Sequence, residues 1–507
     1  MNLKKNTRYT SAELLEHAQK GNAFAQFQLG NHYRFKKDPD AAAALSWYQQ
    51  AADQDYPEAQ FALALCYIEG IGTDVDNQKA CYWAEKAAAL NNSFAQLFLG
   101  EIYSFGNFNT KIDYEKAHYY LNLSINQHNY NAYYILGLLY DEGLGVEKDA
   151  TRAFELCEKA AQHGNVAAQT FLGLKYIMGD DVKQDHYKAV KWLSLAADKG
   201  FDKAQLLYGT ILKTGGENIK KNTKKAFALI LQAAQQHNAA AQYEIGKMYL
   251  EGIGITKNIQ HALYFLHLSA DQSFSLAQTE LGNFYIAGEI VEKDYTKAFE
   301  LLSSAATSDN GNALFSLANL YMYGLGVEKD ITRALELYNK AANLENVSGM
   351  TKLGILYYTG THVEQDYAQA YSWLTKAVTG DQNRDRIIPN IYYYLGLMYF
   401  NGQGTEQDYN KAYAHLSYAA QYAHDKACYM VATMHEAGYG VEQNSEDADK
   451  FYKKACKLGN LDAFKKLYPQ EYDSLDADLK SLKTDSESHS ELINSELHAQ
   501  KETTESL

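Results

Sequence analysis

The block Ala-x-x-x-Leu-Gly-x-x-Tyr recurs along almost the whole of this 507-residue chain, and its period leaves few folds open. AQFQLGNHY begins at Ala25, AQLFLGEIY at Ala95, AYYILGLLY at Ala132, AQYEIGKMY at Ala241, AQTELGNFY at Ala277 and IYYYLGLMY at Ile391. The first residue of the block falls at Ala25, Ala59, Ala95, Ala132, Ala168, Ala204, Ala241, Ala277, Ala313, Gly349, Ile391, Ala427 and Ala463. Nearly every interval is 36 or 37 residues; the first is 34, and the one before Ile391 is 42. Self-similarity at such a period marks a repeat architecture, in which each unit buries its apolar face only by stacking on its neighbours.

Within the block, the alanine, the leucine four on, the glycine five on and the tyrosine eight on share one helical face. Glycine-rich turns follow, such as EGLGVEKD at Glu142 and YGLGVEKD at Tyr323. Their glycines supply the positive φ that ends a helix. Asp149, Asp185, Asp294, Asp330, Asp366 and Asp408 then stand where an N-cap is needed. A second helix follows, as in TRAFELCEKAAQHGN from Thr151, with Ala153, Ala160 and Ala161 as its small packing positions. With only 4 prolines, the composition suits long helical stretches. The pattern predicts an all-α, right-handed superhelical solenoid of about twelve helix-turn-helix repeats. Residues 11–20 read as a lone second-type helix and 461–467 as a lone first-type helix. The expected organisation is an extension over 1–10, the solenoid over 11–468 with a protruding insertion at 381–389, and an acidic, unfolded tail over 469–507.

These blocks resemble the Sel-one-like repeat family, relatives of the tetratricopeptide repeats with a slightly longer unit. The residues that carry the likeness are the Ala-x-x-x-Leu-Gly-x-x-Tyr spacing, the Gly-x-Gly-Val turn and the Lys-Ala…Ala-Ala second helix, over roughly 11–468. The resemblance implies an adaptor or scaffold for macromolecular complexes. Many bacterial members are tied to signalling, envelope processes or host cells. Some secreted, disulfide-rich relatives are linked to penicillin binding and β-lactam hydrolysis, but their recurrent cysteine pairs are missing here. Cys66, Cys81, Cys157, Cys428 and Cys456 read instead as reduced thiols packed between helices.

The chain carries no phosphate loop, no Gly-x-Ser-x-Gly elbow, no His-Glu-x-x-His and no Cys-x-x-Cys. Neither a catalytic centre, a cofactor nor a metal is expected from it. The net charge of -15 shows no basic surface for nucleic acid, and no apolar run is long enough to span a membrane. The N-terminus lacks the apolar run of a Sec signal, so a cytoplasmic location is expected. The tail offers an alternative. Residues 471–507 hold ten acids and three lysines, with Glu491, Glu496, Glu502 and Glu505 near the end. They resemble the glutamate-rich C-terminal signals of type IV secretion substrates, which implies an effector delivered into a host cell to bind a host protein.

The expected partner is a protein or peptide held along the concave surface. Taking the alanine as zero and turning 100° per residue, the sixth position after it points away from the core. Leu138, Ile355 and Leu397 stand there among polar residues such as Asn31 and Asn319. Two residues after the alanine stand Tyr134, Tyr243, Phe315, Tyr393 and Tyr429. Their rings either pack against the adjacent repeat or form an aromatic ladder open to the groove. The stretch from Tyr393 through Leu397 to Tyr429 and Met430 is the leading candidate for a binding site.

Overall fold

A computed structural model describes residues 11–108, 110–216, 218–380 and 389–471. The extension at 1–10, nearly all of the insertion and the tail beyond 471 lie outside the described residues. The chain is an all-α solenoid of helical hairpins. Among the described residues there is no strand, only an isolated bridge between Gly216 and Ile219. Two compact units divide it, 1–269 and 270–507. The N-terminal unit opens with the lone helix Ser11–Gln19. Its first helices then run from Ala23–Phe35 to Ala239–Glu251, each followed by an antiparallel second helix. The C-terminal unit repeats the plan from Ser275–Ala287 to Asp425–Ala437 and closes on Leu461–Leu467.

Capping residues set the helix boundaries. Asn92, Asn129, Asn165 and Asn238 accept backbone N–H bonds in the first turn of first helices. Asp149, Asp185, Asp294, Asp330, Asp366 and Asp408 do the same for second helices. Each satisfies a donor that the helix itself leaves unpaired. Gly70, Gly143 and Gly252 close first helices in the left-handed conformation.

The glycine inside each first helix has a packing role. A methyl group at Gly173 would lie 2.5 Å from Cγ of Leu193, and one at Gly396 would lie 2.5 Å from Cγ of Leu416. Where alanine takes this place, the register sets Ala64 opposite Ala84, and sets Ala318 and Ala432 opposite the flat rings of Tyr338 and Tyr452. Every branched Leu or Ile partner meets glycine.

Two further devices join hairpin to hairpin. The glutamine after the block's alanine is buried, and its amide donates to a last-turn carbonyl of the preceding second helix. Gln60 reaches Ala52 O at 3.2 Å, Gln96 reaches Ala88 O at 3.0 Å and Gln169 reaches Ala161 O at 2.9 Å. In the C-terminal unit Gln278 reaches Ala270 O at 3.2 Å. The buried amide N–H is satisfied by a carbonyl that also accepts a backbone N–H of the turn, so the glutamine ties the turn to the next hairpin. The tyrosine eight residues after the alanine is held by its own second helix. Its carbonyl accepts the N–H of the capping residue, as Tyr140 does from Asp149 and Tyr176 from Asp185. The cation three residues beyond the cap then covers its ring. Arg152 lies 4.7 Å over Tyr140, Lys188 5.2 Å over Tyr176, and Lys411 5.4 Å over Tyr399. One Asp-x-x-Lys/Arg motif thus caps the helix and clamps the ring. Where Leu212 replaces the tyrosine, Tyr208 one turn earlier receives Lys225 at 4.9 Å.

Candidate partner-binding surface

Within each unit, first helices of neighbouring repeats approach one another directly. Ser93–Phe105 meets Tyr130–Glu142, and Gly311–Tyr323 meets Val347–Thr359. No two second helices come as close among the described residues. The first helices therefore form the tighter side of each stack.

Ion pairs set the spacing of that side. Arg34 bonds Glu69 at 2.8 Å across neighbouring first helices. Lys175 bonds Asp141 at 2.6 Å and also Asp181 of the following turn at 3.0 Å. Burial alone would lower the pKa of Lys175, but its bonds to Asp141 and Asp181 outweigh burial and hold the ammonium above its ordinary value.

All nine residues singled out in the sequence are half-buried. Tyr134 packs on the cluster formed by Cys157, Ala160, Ala161, Ala168 and Leu172. Phe315 lies 5.8 Å from Tyr338, and Tyr429 lies 5.5 Å from Tyr452. Tyr243 carries Lys247 at 5.1 Å over its ring. Tyr393 stacks on His424 at 4.4 Å, and burial pushes its phenol up to about 12. Met430 sits on the core around Val431. These ring positions are built into the packing between helices while keeping an accessible edge. Leu138, Ile355 and Leu397 keep part of their surface. The polar occupants of the same column are tied down: Asn31 and Asn319 accept the hydroxyls of buried Tyr48 and Tyr338, at 2.7 Å and 2.6 Å.

Exposed and half-buried apolar side chains of three successive first helices stand in that column and just beside it. Phe94 is 62% exposed and Phe105 43%, both on Ser93–Phe105. Leu174 and Met178 on Val166–Met178 are 36% and 60% exposed. Leu138 lies on the first helix between those two. Phe98 links the set inward, 6.1 Å from Phe61 and 5.9 Å from Phe108. The sequence held the signal. Phe94 precedes the block's alanine by one residue and Phe105 follows it by ten, so both fall within about 40° of the sixth position on the same helical wheel.

Among the described residues, no group of three or more His, Cys, Asp or Glu side chains could hold a metal ion, and no helix is long and apolar enough to cross a membrane. All five cysteines are unpaired; Cys66, Cys157 and Cys428 are buried, while Cys81 and Cys456 are half-buried.

A stack of capped hairpins with exposed apolar side chains on its first helices has the geometry of an interaction solenoid. The chain belongs to the Sel1 repeat family, whose model matches twelve successive segments from 23–56 to 425–460. Sel1-repeat proteins generally mediate protein–protein interactions, and their solenoid is typically a non-enzymatic scaffold. The solved structure of c5321, a protective antigen of uropathogenic Escherichia coli strains, is 27% identical and superposes with a TM-score of 0.62 over 93% of this chain and 97% of that one. A rat DAP3-binding cell death enhancer 1 is 27% identical over 171 residues, 26% of this chain and 33% of the relative. Chitin synthase regulatory factor 2 of Schizosaccharomyces pombe is 31% identical over 130 residues, 24% of this chain and 25% of the relative. The chain thus spans a third or less of the length of these curated relatives.

Proposed function

We propose that this protein is an adaptor that holds an extended segment of a partner protein along its first helices. The principal anchor is the strip of Phe94, Phe98, Phe105, Leu138, Leu174 and Met178. The stretch of Tyr393, Leu397, Tyr429 and Met430 is a second contact in the C-terminal unit. The observation that carries the reading is the exposure of Phe94 and Met178 on first helices two repeats apart, in a fold that buries apolar residues wherever it can. Neighbouring packed helices lie about 10 Å apart. An extended chain advances about 10 Å in three residues. A segment with an apolar residue at every third position would therefore place one side chain per repeat. A relative named for binding DAP3 supports a protein as the partner class.

Crosslinked recovery of partners from native lysate tests this, using three versions of the chain with matched helicity and melting temperature. One is unchanged, one carries Phe94→Ser and Met178→Ser, and one carries Tyr393→Ala, Leu397→Ser and Tyr429→Ala. The expected result is a stoichiometric partner lost with the first pair and weakened with the triple variant. A partner held equally by all three would remove both faces from the proposal.

A further inference from the structure

A cavity of about 530 Å³ lies where the start of the second helix Asn77–Ala89 faces the loop that follows Ser93–Phe105. Asp76, Asn77, Tyr82, Glu85, Tyr103 and Phe108 line it, with the Cys81 thiol between them. Its origin is a departure from the repeat. In six other hairpins a left-handed glycine seats this loop against the first residue of the preceding second helix, while Asp181 and His362 hold the same place in two more. A Cβ at Gly72 would fall 2.3 Å from Ala41 O, and one at Gly254 would fall 2.1 Å from Thr223 O. Phe108 occupies that position with φ at 56° and carries a Cβ, so the loop cannot take the same seat on Asn77. Beside Phe108 the space between loop and helix is the cavity.

The lining is one-sided in its chemistry. Asp76 and Glu85 are carboxylates. The side-chain oxygen of Asn77 is buried without a hydrogen-bond partner, a cost that a bound donor would remove. Glu85 accepts from the Tyr103 hydroxyl at 3.0 Å through one oxygen. No cationic side chain lines the cavity. The rings around it already act as cation seats: Lys86 lies 5.0 Å over Tyr82, and Lys116 lies 4.9 Å over Tyr103. Acceptors beside aromatic faces suit a flat, donor-rich cation. Guanidinium combines five N–H donors in a plane with stacking on aromatic rings. The volume is that of a small-ligand pocket.

We propose that this cavity binds a guanidinium group, presented as an arginine side chain of a protein partner, stacked on Phe108 and donating to Glu85 and Asn77. Only the source of the arginine rests on the adaptor reading; the chemistry of the pocket stands apart from it.

Cys81 reports occupancy in the full chain. Its alkylation by iodoacetamide is followed by mass spectrometry, with half-buried Cys456 as internal reference, and isothermal titration reads the same binding without the thiol. The probes are the peptide acetyl-Gly-Arg-Gly-amide, its citrulline counterpart and free L-arginine. The arginine peptide should protect Cys81 and leave Cys456 unchanged, while neutral citrulline should not protect. Glu85→Gln should weaken binding roughly tenfold, the scale of losing one charge-assisted hydrogen bond. Phe108→Gly should let the loop close and abolish binding with helicity unchanged. Absence of both protection and titration heat at about 10 mM peptide, a ceiling weaker than any specific contact of this kind, overturns the proposal. So does equal protection by citrulline, or full binding by both variants. Tighter binding of free L-arginine than of the peptide overturns the protein source. A failed partner recovery beside intact Cys81 protection would sink the adaptor reading alone.

Discussion

At the residue scale, the glycine of each first helix illustrates how one side chain's size is fixed by another some twenty residues away. Gly173 faces Leu193, whose branched carbon leaves no room for a methyl group. Gly173→Ala gains about 1 kcal/mol of helix propensity. Overpacking a fully buried leucine costs about 1–3 kcal/mol, so the net effect should be destabilising by up to about 2 kcal/mol. Denaturant melts would read it. The pairing of Ala64 with Ala84 gives the control: adding Leu193→Ala should make Gly173→Ala neutral or better within that background. If Gly173→Ala is stabilising by itself, the close approach is not what selects glycine there. The same scale shows why most ring positions were ambiguous in the sequence. Tyr134 and Phe315 carry the same spacing whether they face a groove or a neighbour, and only the neighbour's own side chains decide.

At the element scale, the caps make the helices, and one cap differs from the others. His424 stands where most repeats have asparagine, and its Nδ1 accepts the N–H of Ala427 at 3.1 Å. Nε2 therefore carries the proton and donates to Asn390 Oδ1 at 3.0 Å. A protonated ring cannot accept, so the cap exists only in the neutral form. Burial lowers the pKa of His424; Asp425 pulls it upward and Lys426 downward, while Tyr393 stacks on the ring. A depressed folded pKa means that the unfolded segment takes up the proton first. The cap's contribution is then complete above the ordinary value of about 6.5 and is lost as pH falls from there through the lower folded value. Hydrogen exchange in Asp425–Ala437 should accelerate between pH 7.5 and 5, after correction for intrinsic rates. His424→Asn should abolish that acceleration. An unchanged pH response in the variant would assign the effect to other groups, His415 first, since burial lowers its pKa too.

At the scale of the whole molecule, each hairpin contacts chiefly its neighbours, so stability is local and propagates from hairpin to hairpin. The lone helix Ser11–Gln19 covers Ala25 and Leu29 and supplies the carbonyl of Ala18 to Gln26. Its removal should raise hydrogen exchange in Ala23–Phe35 strongly and in Val166–Met178 hardly at all. Equal acceleration in both would show that the N-terminal unit melts as one body, against the nearest-neighbour account. The expectation of helix-turn-helix repeats with a 36-residue period matches the structure because period, glycine ends and aspartate caps are local signals, each readable within a few residues. The candidate surface was less legible. The nine residues singled out proved half-buried, while Leu174 of the same column is exposed. The fully presented side chains, Phe94 and Met178, stood in columns that the sequence offered but gave no reason to prefer.

The sequence by itself determined the repeat, the helix hairpins, the aspartate caps of the second helices and which alanines, leucines and glycines face inward, because these follow from periodicity and short-range backbone chemistry. Tertiary structure alone decided that the buried glutamine would bond the preceding helix's last turn, that a cation would lie over the tyrosine of several repeats, and that a cavity would open beside Phe108. Those outcomes depend on which side chains, tens of residues apart in the chain, are brought face to face by stacking, and their sizes vary from repeat to repeat while the period does not.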